Sequence, residues 1–266
     1  ILIPLPTPIL DFLFILNITL SLLILVMTMY IRETLEFSVF PSLLLVTTLF
    51  RLGLNISSTR KILFDNGYAG QVVKTFGQFV IRGNVVIGFI IFLIIVLVQF
   101  IVITKGSERV AEVAARFTLD AMPGKQMAID ADLNSGLIDE QQAKERRSKI
   151  QREADFFGSM DGATKFVKGD AIISIIITFI NFVGGVIVGI MNSQGSMQDI
   201  MQIYTTSTIG DGLVSQIPAL LISVATGMIV TRSASENSLS EDLTQQFLAQ
   251  PRVLMTAGGA AACLCL

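Results

Sequence analysis

Asp170, Arg51 and Asp11 have the strongest claim to chemistry in this sequence, because each sits in or beside a run of apolar residues. An ionisable group in hydrocarbon costs about 2.5–3.5 kcal/mol on insertion scales, and such groups are functional by default. Asp170 heads a polar face. Helical spacing puts Ser174, Thr178, Asn181 and Gly185 on its side. Arg51 has Thr47, Thr48, Asn55, Ser58 and Thr59 on its own side and is a candidate partner for one of the two acids. Asn17, Ser21 and Thr28 align in the same way, as do Gln216, Ser223 and Gly227. These stripes have two readings, an ion path or helix packing through small residues and interhelical hydrogen bonds. Gly185-x-x-x-Gly189 reads as packing. Asp161 and Lys165, one turn apart just ahead of Asp170, either tune it or form a solvated ion pair.

The elements that position these residues are apolar spans. Of 266 residues 52% are hydrophobic and only 15% charged, against about a quarter charged in an ordinary soluble domain. The charges are concentrated: 22 of 40 lie between Thr104 and Lys168, leaving long charge-poor runs elsewhere. Spans are expected at Ile9–Ile31, Val85–Ile103, Ala171–Met191 and Leu213–Val230, the last kinked by Pro218. Phe37–Leu54, with Pro41 and Arg51, can span or re-enter, and Val253–Leu266 reads as the front of a further span. The fold class is an all-α membrane protein, a polytopic transmembrane helix bundle with a small helical cytoplasmic loop subdomain. Its divisions are 1–103 (transmembrane, with a re-entrant candidate in 37–84), 104–168 (loop) and 169–266 (transmembrane). The chain opens on Ile1 and stops inside an apolar run at Leu266, so a fragment of a longer protein is expected.

Orientation follows from lysine and arginine. The loop 104–168 holds 11 of 19, and Asn192–Asp211 holds none, which puts the first in the cytoplasm and the second outside. Asn55–Asn84 then falls outside despite Arg60, Lys61, Lys74 and Arg82, so either the rule fails there or one segment is re-entrant. Within the loop, Ser107 is placed to cap a helix through Phe117, Pro123-Gly124 reads as a turn, and Asp139–Phe157 reads as a charged surface helix.

Much chemistry is excluded. There is no histidine, so a histidine-based triad is impossible and the commonest metal ligand is missing. Cys263 and Cys265 lie in an apolar tail and make neither a disulfide framework nor a metal site. Gly124-Lys125 lacks the glycine spacing of a phosphate loop. A net charge of −2 gives no reason to expect nucleic acid as a partner. Enzyme is the least supported class.

The stretch RFTLDAMPGKQMAIDAD, Arg116–Asp132, resembles the signature of the FHIPEP family, the large export-gate proteins of type III secretion, which has a flagellar and an injectisome branch. FIVITKG (Phe100–Gly106), DGATKFVKGDA (Asp161–Ala171), TIGDGLVSQIPAL (Thr208–Leu220) and TTLFRLGLNISSTR (Thr47–Arg60) also look like family blocks, the last of flagellar type. The resemblance covers essentially the whole chain as the N-terminal, transmembrane half of such a protein.

It implies a multi-pass protein of the bacterial inner membrane, in a homo-oligomeric ring (a nonamer in the family) with other export-gate membrane proteins. The ring would couple a proton or sodium motive force to translocation of unfolded proteins. No cofactor is implied beyond those coupling ions. The export ATPase complex and chaperone–substrate complexes would dock on a C-terminal domain outside this sequence. Carried over by motif, Asp170 is the proton-coupling acid, with Lys165, Asp161 and Asp211 as its companions. Arg109, Arg116, Asp120 and Lys125 become loop and inter-subunit positions, where residue types alone suggest surface salt bridges. Two competitors remain. One is a membrane-anchored ring scaffold or docking protein without ion coupling. The other is a small-solute transporter, which predicts an internal repeat that the sequence does not show.

Overall fold

A computed structural model describes residues 5–101, 106, 108–192 and 195–232, together with positions 240, 241, 244, 249, 255, 256 and 259. The expected cap at Ser107 and the span at 253–266 lie outside the continuously described residues. Among the described residues the chain is helical, with no strand.

Helix α1, Thr7–Tyr30, carries its proline in the first turn, where a missing N–H costs nothing. Its buried residues are Leu10, Phe14, Asn17, Ser21, Ile24 and Thr28, alternating steps of four and three that trace one face. The opposite side exposes Phe12, Leu16, Leu23 and Val26, as a lipid-facing surface must. After a 3₁₀ turn at Thr34–Phe37, helix α2 runs Phe40–Phe64. It continues ten residues past the expected end at Leu54, and Thr34–Phe64 is long and apolar enough to cross a membrane.

The bend comes later. Helix α3, Gln71–Ile81, and helix α4, Val85–Ile101, meet at 102° across Arg82–Asn84. Gln71–Ile81 falls in the stretch read from sequence as an external loop. Its polar residues Gln71, Lys74 and Gln78 face outward, while Val73, Gly77 and Ile81 pack inward.

Helix α5, Glu108–Asn134, and helix α6, Glu140–Met191, form an antiparallel hairpin. Ala111 and Ala115 pack against Phe156, Phe157, Met160 and Ala163 near its base, and Ile129 packs with Ile138 and Ala143 near its tip. The expected turn at Pro123-Gly124 is corrected: Pro123 lies inside α5. The helix there forgoes one backbone hydrogen bond, and its packing along α6 outweighs that loss. The reversal falls at 135–139 instead, where the Leu137 N–H bonds the Asp132 carbonyl and Asp139 opens α6 with a capping box on Gln142.

Helix α6 has 52 residues, roughly 78 Å of continuous helix. It passes without a break from the charged segment into the apolar one, so the sequence division at 168/169 falls within a single rod. Helix α7, Met197–Val230, begins with a Ser196–Asp199 capping box and contains Pro218. Here too a stretch read as external loop is helical, and the helix starts 16 residues before the expected span at Leu213. Among the described residues, four helical stretches are long and apolar enough to cross a membrane, or up to five if α3 and α4 form one bent span. The protein is membrane-embedded.

Two apolar clusters mark the ends of the bundle. Near the hairpin, Ile24, Phe40 and Leu44 meet Phe156, Met160 and Ile229. At the far end, Leu10, Ile62 and Val73 meet Ile200 and Tyr204. Residues 66–84 therefore sit away from the charged hairpin. Tyr204 also explains the glycine pair of α6, since a Cβ on Gly185 or Gly189 would meet its ring at 2.3 or 2.7 Å.

Candidate functional site

Arg51 and Asp170 are 2% and 3% exposed and face each other across α2 and α6. The Arg51 Nε–H donates to Asp170 Oδ2 at 2.9 Å, and Nη2 bonds the same oxygen. Asp170 Oδ1 and Arg51 Nη1 are buried without a partner among the described residues. Each charge alone would be costly in hydrocarbon. Paired, each compensates the charge of the other. The pairing also accounts for the length of α2, because a compensated guanidinium does not have to end the helix at a membrane surface.

One turn further from the hairpin, Asn55 of α2, Ser174 of α6 and Ser215 of α7 meet. Asn55 Nδ2 donates to Ser174 Oγ at 3.3 Å, and the Ser215 hydroxyl donates to Asn55 Oδ1. Beyond them, Asn181 Nδ2 donates to Asp211 Oδ2 at 2.9 Å, and the Ser58 hydroxyl donates to the Asn55 carbonyl at 2.9 Å. Asp211 Oδ1, Asn181 Oδ1 and the hydroxyls of Thr208 and Thr205 are buried without partners among the described residues. The result is a polar column along the α2–α6–α7 seam. From Asp170 to Asn181 it rises about 16 Å, half the thickness of a bilayer core. Buried polar groups left unpaired in such a column are the sites that ordered water satisfies.

The remaining expected residues lie elsewhere. Asp11 does not meet Arg51. Its carboxylate caps α3, accepting from the Gln71 and Val72 N–H groups at 2.8 and 2.9 Å. Gly70 makes this possible, with φ +120° and a Cβ position only 2.4 Å from Asp11 Oδ1. Asp161 and Lys165 form an i,i+4 ion pair of 2.7 Å on the outer side of α6, with Lys165 exposed. Arg109, Arg116, Asp120 and Lys125 are exposed on α5, where Lys125 reaches Glu153 of α6 at 3.0 Å. Among the described residues no group of three or more acidic, cysteine or histidine side chains converges as a metal site.

Ser215, Thr205, Thr208 and Gln99 escaped the sequence reading. Thr208, Asp211 and Ser215 stand at i, i+3 and i+7, a helical signal that was lost when 192–211 was read as loop.

The whole sequence, residues 1–266, matches the family described as the FHIPEP family. It is 60% identical over 255 residues to the flagellar biosynthesis protein FlhA of Bacillus subtilis, covering 96% of this chain and 38% of that protein. It is 54% identical over 257 residues to the low calcium response locus protein D of Yersinia pestis, covering 96% of this chain and 36% of the relative. With FlhA of Salmonella typhimurium the identity is 54% over 258 residues, 96% of this chain and 37% of the relative. The chain thus spans little more than a third of these relatives. No solved structure matches it.

Proposed function

The chain belongs to the FHIPEP family, and on that premise we propose that it is the membrane half of an export gate in a bacterial type III secretion apparatus. The flagellar branch is supported by the 60% identity to FlhA of Bacillus subtilis, while FlhA of Salmonella typhimurium and the low calcium response protein are equally similar at 54%. In this reading the protein couples a proton or sodium motive force to the passage of unfolded proteins across the inner membrane. It does so as a homo-oligomeric ring, with other export-gate membrane proteins beside it. Docking of the export ATPase complex and of chaperone–substrate complexes is assigned to the part of the full-length relatives outside the matched third. The charged α5–α6 hairpin faces the cytoplasm, in keeping with the 11 of 19 basic residues held by the stretch 104–168.

The observation that carries the reading is the buried Arg51–Asp170 pair at the hairpin end of the polar column. Protonation of Asp170, or an ion bound to it, removes the charge that holds α2 to α6 at this level. Because α6 is one rod, a shift at Asp170 is passed directly to the hairpin, about 30 residues back along the same helix. Asp211 and Asn181 supply the next polar station. Asp161, half-buried, and Lys165, exposed, act on Asp170 only through the local field.

The test compares Asp170→Asn with Asp170→Glu in the full-length protein, scoring export and ring assembly together. Loss of export with Asn, partial export with Glu and assembly of both support a titratable carboxylate. Normal export with Asn refutes it.

A second reading, a ring scaffold without ion coupling, is favoured by α5, which exposes Phe117 beside Arg116 and Asp120 as a subunit contact would require. It expects Arg116→Ala to break the ring while Asp170→Asn is mild.

A further inference from the structure

We propose that Gln99 of α4 and Gln216 of α7 hold a water molecule against the free side of the Arg51 guanidinium, tying α4 into the site. A cavity of about 30 Å³ is bounded by Arg51, Val96, Gln99, Ser174, Gln216 and Ala219. One water needs roughly 10–15 Å³ by this measure and two to four polar partners. Three residues of this lining carry a buried polar atom with no partner among the described residues: Arg51 Nη1, Gln99 Oε1 and Gln216 Oε1. That set is one donor and two acceptors, the complement of a water that accepts one hydrogen bond and donates two. A cation would be repelled by the guanidinium, and an anion would meet two carbonyl oxygens. An apolar occupant would leave all three atoms unsatisfied.

The role of this water rests on the coupling reading above, although its presence does not. While Asp170 is ionised it balances Arg51. Once Asp170 is neutral, the guanidinium keeps its charge and loses its counter-ion. The water then presents its oxygen to Nη1, held in that orientation by the two glutamine carbonyls, so a compensating dipole is in place before the proton arrives. Gln99 and Gln216 are positioning residues for Arg51. Among the described residues, α4 brings no charged side chain to the cavity, so this bridge is its polar link to the pair.

The direct test is a map of the full-length membrane complex at a resolution that shows ordered water. Density is expected within about 2.7–3.2 Å of Arg51 Nη1, Gln99 Oε1 and Gln216 Oε1. No density, with both glutamines turned onto protein partners, overturns the proposal. The functional test uses Gln99→Leu, Gln216→Leu and the double variant in the full-length protein, scoring export and assembly. Each single change is expected to lower export about tenfold with assembly intact. The double should be no worse than either single, because the same water is lost each time. Losses that multiply, or no loss, overturn it. If a leucine variant fails to assemble, the density decides. Density present while Asp170→Asn exports normally would sink the coupling reading and leave the water site standing. Density absent while Asp170→Asn blocks export would do the reverse.

Discussion

The seam around Asp170 and the surface of the α5–α6 hairpin use the same residue types for opposite ends. On the hairpin, Lys125–Glu153 and Arg146–Asp132 pair at 3.0 Å, Arg147 pairs with Asp130, and Lys149 reaches Glu33 ahead of the 3₁₀ turn at 2.9 Å, all in contact with solvent. Water screens these pairs, and each is worth about 0–1 kcal/mol. In the seam one pair, Arg51–Asp170, stands 2–3% exposed, out of reach of bulk solvent. The lesson is that number of charges is a poor guide to importance here. The hairpin holds most of the charge, and the seam holds the ion pair that is buried between two helices.

That contrast can be broken by removing one member of each kind of pair. Arg51→Met strands a buried carboxylate and is expected to destabilise the bundle by about 3–5 kcal/mol, seen as a large drop in thermal midpoint in detergent. Adding Asp170→Asn to it should restore most of the midpoint, because no uncompensated charge remains. No rescue would show that Arg51 acts through packing instead.

Gly185→Ala comes next, since its new methyl group meets the Tyr204 ring at 2.3 Å. Overpacking of this kind costs about 1–3 kcal/mol. The cost should fall when Tyr204→Leu is added, and additive losses would show that the ring is not the obstacle.

Asp11→Ala removes the cap of α3 and is expected to cost about 1 kcal/mol, with Asp11→Asn milder because its side-chain oxygen still accepts. Hydrogen exchange at Gln71 and Val72 should rise in the alanine variant. Unchanged exchange there would remove the capping role.

The smallest effect belongs to the hairpin. Lys125→Ala should change the stability by less than about 1 kcal/mol, a small shift in thermal midpoint, and added salt should shrink the difference further. A larger, salt-insensitive loss would mean that the hairpin pairs are not solvent-screened and would weaken the comparison.

The sequence stripes at Asp170, Arg51 and Asn17 were legible because a helix in lipid hides polar groups on one face, and a 3.6-residue period shows through. Two helical stretches were illegible for a related reason. Gln71–Ile81 and Met197–Asp211 carry enough polar residues to read as loop, yet tertiary contact makes them helices. A Cβ on Gly77 would lie 2.1 Å from the Thr206 carbonyl, and one on Gly210 would lie 1.9 Å from that of Val73, so the two backbones touch. Nothing local in the sequence announces such a crossing. Missing α3 also cost the meaning of Asp11, because a cap cannot be assigned to a helix that has not been seen. Pro123 misled in the opposite direction, as a turn signal overridden by packing along α6.

The central claim is that a titratable carboxylate at position 170 moves ions, and flux tests it most directly. Full-length protein in sealed vesicles with an imposed pH gradient, followed by an internal pH dye, would be compared with Asp170→Asn at equal protein content. The account expects the gradient to collapse with the unaltered protein and to persist with the variant, while ring assembly is the same in both. Equal rates of collapse would contradict it and leave the buried pair as a structural tie between α2 and α6.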